Sequence, residues 1–264
     1  MDADLPVRQF RGRDGAELAY RELGDGRPLV LVHGYTENAT IAWIRTGHAA
    51  NIAARGHRVV MPDLRGHGDS ARPHDAAAYP PDVLADDGLA LIEHLGLAEY
   101  DLGGYSLGGR TVARILARGA TPGRAIVAGQ GLDAITHTVG RGGNFRRLLT
   151  GFGTFGPGSP ERAIEEGITA IGGDPVALLR VLDTFVDTPR EVLARVETPT
   201  LVLAGADDGH NDTAPALAAA LPNGRYAVLP GNHRRAPAGP ELVTAITDFL
   251  DLPAGRLPGR PGTR

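Results

Sequence analysis

The 264-residue chain reads as an α/β protein, with a mostly parallel central sheet, helices on both faces and a helical cap insertion. Three observations predict this. Continuous apolar runs such as Leu29-Val30-Leu31-Val32 and Leu201-Val202-Leu203-Ala204 lack polar alternation, as strands buried on both faces require. These runs alternate with segments of helical spacing, so right-handed crossovers build a parallel sheet covered on both sides. The alternation stops once, from about Asp133 to Arg195, and that stretch is too long for an ordinary connection.

In chain order, residues 9–12 and 18–23 are short strands flanking the turn Arg13-Asp14-Gly15, a hairpin. Pro28 introduces the strand 29–32, which ends at His33-Gly34. Residues 40–55 are Ala-rich with helical spacing and stop at Gly56. The strand 57–61 runs into the turn-rich loop Pro62-Asp63-Leu64-Arg65-Gly66-His67-Gly68-Asp69-Ser70. Leu84, Leu89, Leu91, Ile92 and Leu95 place an apolar stripe on a helix over 81–95, closed by Gly96. A strand over 100–104 leads through Ser106 into a helix over 109–118, followed by a strand over 124–128.

The interrupted region carries helical segments over 144–149, 160–171, 175–186 and 189–196. Strands over 200–204 and 226–229 and a helix over 240–250 complete the pattern. The chain divides into a core formed by residues 1–132 and 197–252 and a cap over 133–196. The tail over 253–264, rich in Gly, Pro and Arg, is expected to be disordered.

Composition excludes several classes of function. A net charge of −4 offers no electrostatic footprint for nucleic acid or an anionic membrane. All 27 basic residues are Arg, so Schiff-base chemistry on a Lys is excluded. With no Cys there are no disulfides, thiolate metal sites or Cys nucleophiles. The His and Asp residues show no metal-ligand spacing, and no cofactor is expected. No secretory leader or run of about 18 apolar residues is present, which points to a cytoplasmic protein.

The residues with chemical potential centre on Gly104-Tyr105-Ser106-Leu107-Gly108. Between a strand and a helix, this pentapeptide is a tight turn in which side chains at 104 and 108 would collide with backbone, and it projects the Ser106 hydroxyl above the sheet. A serine needs a base. Of nine His, His233 follows the last apolar strand directly, at the sheet edge where sites in open α/β sheets form, with His210 as competitor. The base needs a carboxylate, and Asp207, Asp208 and Asp133 are the candidates. Asp208 is the preferred one.

Taken together, Leu31-Val32-His33-Gly34-Tyr35, the loop Pro62 to Ser70, the serine turn, and the pair Gly205…Asp208 and Gly231…His233 resemble the α/β-hydrolase fold family. The resemblance spans residues 10–250 and implies a nucleophile, acid and base in the order Ser106, Asp208, His233. The family's Gly-x-x-Asp spacing from Gly205 supports Asp208. By the same analogy the backbone N–H groups of Tyr35 and Leu107 form an oxyanion hole, while His33, His67 and Asp69 shape loops.

The implied activity is hydrolysis of a carboxylic ester of a small to medium molecule. Carbon–carbon bond hydrolysis of a ring-cleavage diketone and perhydrolysis are the alternatives, and a non-catalytic binding protein is the further one. Ser106 argues against the haloalkane dehalogenases and epoxide hydrolases of this fold, which carry Asp at that position. The cap's Phe145, Leu148, Leu149, Phe152, Phe155, Leu182 and Phe185 are candidates for an apolar lining, and seven Gly in residues 140–158 suggest a mobile lid. Arg141, Arg146 and Arg147 would favour an acidic substrate if they face it. Oligomeric state is not legible.

Overall fold

A computed structural model describes residues 5–138 and 142–253. The first half of the chain forms β1 (Arg8–Arg11), β2 (Glu17–Leu23), β3 (Arg27–Val32), α1 (His48–Ala53), β4 (His57–Pro62), α2 (Val83–His94), β5 (Asp101–Tyr105), α3 (Leu107–Ala117) and β6 (Ala125–Ala128). After β6 come α4 (Leu132–Thr136), α5 (Gly143–Thr150), α6 (Pro160–Ala170), α7 (Pro175–Val181) and α8 (Arg190–Leu193). The chain then returns to the sheet with β7 (Thr200–Gly205), α9 (Ala214–Ala220), β8 (Gly224–Leu229) and α10 (Pro240–Leu250).

The eight strands form one sheet in the order β1-β2-β4-β3-β5-β6-β7-β8. The hairpin β1–β2 is antiparallel and joins β4 antiparallel; from β4 to β8 every pairing is parallel. Successive side chains of the apolar strands divide between the two faces. Val30, Val32, Leu102, Val127 and Val202 join Leu91, Val112, Ile115 and Leu217 of α2, α3 and α9. Leu29, Leu31, Ile126, Leu201 and Leu203 join Ile52 of α1 and Leu242, Ile246 and Phe249 of α10. That two-sided burial is why these strands read as unbroken apolar runs.

Three local expectations change. The helix expected over 40–55 is broken: a single turn at Thr40–Ile44 and α1 are separated by Gly47 at φ 76°, a left-handed position that ends a right-handed helix. The segment over 175–186 ends as a helix at Val181, continues through one tighter turn at Leu182–Thr184 and is extended at Phe185. Helix α9 was not anticipated, although Ala214-Pro215-Ala216-Leu217-Ala218-Ala219-Ala220 combines a first-turn proline with the strongest helix former.

Between β6 and β7 the described residues form helices and loops, without a strand. Leu148, Leu149, Ile168, Leu178 and Val181 of α5–α7 pack into the same apolar cluster as the sheet face below. Leu193 of α8 and Val196 after it join the same cluster, beside Leu116, Val127, Leu217 and Leu221. The tail over 254–264 and Arg141 lie outside the described residues. No helix among the described residues is long and apolar enough to cross a membrane.

Candidate active site

The carboxyl ends of β3, β5, β6, β7 and β8 converge on one edge of the sheet. Each delivers part of the site within a few residues: Tyr35 after β3, Ser106 after β5, Gln130 after β6, Asp208 after β7 and His233 after β8. This is the edge where ligands bind in open α/β sheets.

Ser106 sits at φ 55°, ψ −113°, one of two non-glycine residues with positive φ among those described. Such a conformation costs on the order of 1–3 kcal/mol and persists because the surroundings over-determine it. A β-carbon on Gly108 would stand 2.0 Å from the Val32 carbonyl oxygen, and one on Gly104 would stand 2.5 Å from the Gly108 carbonyl carbon. The close approach of β3, β5 and α3 thus requires both glycines and holds the turn. Helix α3 begins at Leu107, immediately after Ser106 and two residues earlier than its spacing predicts.

Three side chains meet in a line. His233 Nε2 lies 2.9 Å from Ser106 Oγ, and His233 Nδ1 lies 2.7 Å from Asp208 Oδ2. Asp208 is buried, whereas Asp207 and Asp133 are exposed. Burial opposes the charge on Asp208, but hydrogen bonds from His233 and Asn211 outweigh it and hold the carboxyl below the ordinary carboxylate range. His210 lies exposed on the wall of the same cavity, and it is His233 that hydrogen-bonds Ser106 Oγ.

Other groups position this line. Asn211 donates through Nδ2 to Asp208 Oδ2 at 2.9 Å and accepts at Oδ1 from Gly131 N–H at 3.0 Å, tying the β7 loop to the β6 loop. Tyr105 donates its hydroxyl to the His233 carbonyl oxygen at 2.8 Å. Gln130 donates to the Ser106 carbonyl oxygen at 2.6 Å. Sequence reasoning missed Asn211 and Gln130. Their only signal is proximity, three residues after Asp208 and two after the end of β6. Glu37 was also missed; its carboxylate packs 3.0 Å from where a Gly34 β-carbon would stand, and burial raises its pKa.

The backbone N–H groups of Tyr35 and Leu107 make no hydrogen bond among the described residues, and both residues line the space above Ser106. Leu107 N–H is at the start of α3, where the helix dipole favours negative charge. The loop carrying Tyr35 is held from two sides. Leu64 N–H donates to His33 Nε2 at 3.0 Å, so His33 Nδ1 donates to the Gly34 carbonyl oxygen at 2.7 Å. Full burial and the neighbouring His67 push His33 down to about 3, so it is neutral and structural. His67 Nε2 sits 2.6 Å from the Tyr35 carbonyl oxygen, and burial lowers its pKa as well.

A cavity of about 470 Å³ opens over Ser106. Leu107, Ala134, Phe145, Leu182 and Phe185 supply apolar walls, with Arg110, Asn144 and Gln130 as polar ones. Of the apolar candidates, Phe145, Leu182 and Phe185 reach this cavity. Leu148, Leu149, Phe152 and Phe155 instead pack in or against the core. Arg146 pairs with Asp183 at 2.7 Å and Arg147 with Glu161 at 3.3 Å, and neither lines the cavity. Among the described residues no cluster of His, Asp or Glu is arranged to hold a metal ion.

Comparison with known proteins agrees with the fold. A family model described as the alpha/beta hydrolase fold matches residues 27–131. A non-heme haloperoxidase of Rhodococcus erythropolis is 27% identical over 274 residues, spanning 90% of this chain and 97% of that protein. The structure of a thermophilic esterase from Thermogutta terrifontis matches with a TM-score of 0.72 and 25% identity, covering 93% of this chain and 98% of that one. The esterase RhEst1 from Rhodococcus sp. ECU1013 matches with a TM-score of 0.69 and 25% identity over 94% and 99% of the two chains.

Proposed function

We propose that this chain, which belongs to the α/β-hydrolase fold family, is a serine hydrolase that cleaves a carboxylic ester through an acyl-enzyme. The observation that carries the reading is the continuous hydrogen-bonded line Asp208–His233–Ser106 at the floor of a cavity.

In this mechanism Ser106 Oγ attacks the ester carbonyl carbon while His233 Nε2 accepts the hydroxyl proton. Asp208 accepts from Nδ1–H, which fixes the tautomer that leaves Nε2 basic and stabilises the imidazolium as it forms. The negative oxygen of the tetrahedral intermediate accepts from Tyr35 N–H and Leu107 N–H. His233 then gives its proton to the departing alkoxide, leaving an acyl group on Ser106. Water, deprotonated by the same His233, adds to the acyl carbon. Collapse expels the Ser106 oxygen, which regains its proton, and releases the acid.

Perhydrolysis is a second reading, favoured by the haloperoxidase relative that spans most of the chain. Hydrogen peroxide would replace water in the last step, releasing a peracid and restoring Ser106. Both readings share the acyl-enzyme, and peracid formation from acetate and peroxide measures the second.

The decisive experiment compares wild type with Ser106→Ala on p-nitrophenyl esters, alongside labelling by a fluorophosphonate. Loss of the nucleophile removes several orders of magnitude of rate, leaving what binding and the oxyanion donors supply. Equal rates in the two proteins, or a wild type that the fluorophosphonate does not label, would refute the reading.

A further inference from the structure

The side chain of Tyr35 reaches from the loop after β3 into the segment between β6 and β7. Tyr35 is 8% exposed, and its hydroxyl donates to the Leu178 carbonyl oxygen at 2.5 Å. Leu178 sits in the last turn of α7, where a helix leaves carbonyl groups without internal partners, so the hydroxyl caps that end. The Tyr35 ring stands edge-on to Phe145 of α5 with centroids 4.9 Å apart, an arrangement that the ring quadrupoles favour. On its other side the ring meets His67, edge-on at 6.0 Å, and His67 Nε2 holds the Tyr35 carbonyl oxygen. Tyr35 and Phe145 both line the cavity above Ser106.

We propose that the Tyr35 side chain positions its own backbone N–H, so that the seating of α5 and α7 sets the geometry of the oxyanion hole. The inference rests on Ser106 being the nucleophile and on Tyr35 N–H being an oxyanion donor, and adds what holds that donor in place. An oxyanion donor works only within about 2.7–3.1 Å of the developing charge. The hydroxyl lies at the far end of the side chain from the N–H. With the ring pinned there by Leu178 and Phe145, and the carbonyl oxygen pinned by His67, the residue is held at three points and its N–H keeps one direction. Helices that carry no reacting group thereby contribute to the chemical step.

The test uses methaneboronic acid, which is too small to span the cavity. Ser106 Oγ bonds to its trigonal boron as His233 takes the hydroxyl proton, and one oxygen of the tetrahedral anion lies where the ester oxyanion would. Tyr35→Phe keeps the ring and removes the bond to Leu178. In this variant the inhibition constant against p-nitrophenyl acetate turnover is expected to rise about 10–100-fold. The kcat falls by the same factor with KM within about threefold, because misplacing the donor weakens the transition state and not the ground state. Thermal unfolding checks that the variant folds. An unchanged inhibition constant, or a loss confined to KM, overturns the proposal.

Coupling is reciprocal, so formation of the boronate adduct slows amide hydrogen exchange in α7 of wild type. This measurement needs no variant, and exchange in α7 that the adduct leaves unchanged also overturns the proposal. Failure of the serine reading looks different: Ser106→Ala would then bind methaneboronic acid as tightly as wild type by calorimetry, and the inference about Tyr35 falls with it.

Discussion

Replacing Arg65 by Met should cost roughly 3–5 kcal/mol of stability, because it strands a buried carboxylate. Arg65 leaves the end of β4 inside the loop Pro62 to Ser70, and its side chain is 1% exposed. It grips Asp87 of α2 in bidentate fashion, Nε to Oδ2 at 2.9 Å and Nη2 to Oδ1 at 2.8 Å, and donates to the Ala78 carbonyl oxygen at 2.7 Å. Asp14, its second partner, is 46% exposed and returns to water at little cost. Asp87 is 5% exposed and has no such recourse. For a chain of this size the deficit corresponds to a fall of roughly 6–20 °C in Tm.

Burial pushes the Asp87 carboxyl up to about 6 even with Arg65 beside it. Without the guanidinium, which lowers it, the value rises further. A carboxyl whose folded pKa exceeds its unfolded one contributes stability that is complete below the unfolded value, about 3.9, and is lost as pH rises through the folded value. Wild type stops losing stability on this account above pH 6, while the variant continues, so its deficit is smallest below pH 6 and widens above it.

The assay is urea unfolding between pH 5 and 8 of wild type, Arg65→Met and Arg65→Met/Asp87→Leu. The double variant removes the orphaned charge and should recover most of the loss. A single variant within about 1 kcal/mol of wild type at pH 8, or a double variant less stable than the single, would refute this account of the ion pair. The effect also reaches the site, because the same loop holds His67 against the Tyr35 carbonyl oxygen.

Two further outcomes follow from the site geometry. Asp208→Asn should lower kcat for ester hydrolysis by about 10⁴, because an amide facing Nδ1 permits the tautomer that carries its proton on Nε2; kcat within tenfold of wild type would contradict the assigned role. Gly108→Ala should cost about 3 kcal/mol or more, since its β-carbon would meet the Val32 carbonyl oxygen at 2.0 Å and backbone cannot yield as a side chain can; an unchanged Tm would show that β3 and α3 approach less closely.

The fold was legible because its determinants are local and periodic. Apolar runs marked the buried strands, and they marked them well because both faces of the sheet are covered. The setting of Ser106 was legible for a related reason: a strand, two glycines and a helix within a few residues leave one turn geometry. His233 could be ranked above the other histidines from its place after the last strand alone.

Other features depend on where the chain returns to itself. Asp207 and Asp208 are neighbours of equal chemistry, and only the turn after β7 buries one beside His233 while exposing the other. Arg65 and Asp87 are 22 residues apart in separate elements, and nothing in either segment announces the pair. Arg110 reads as an ordinary helix residue until the segment between β6 and β7 brings Phe185 against it. Composition and spacing determined the layers of the fold and the residue types able to do chemistry. Tertiary structure decided which of them meet, because burial and hydrogen bonding between distant segments are properties of the packed chain rather than of any stretch of it.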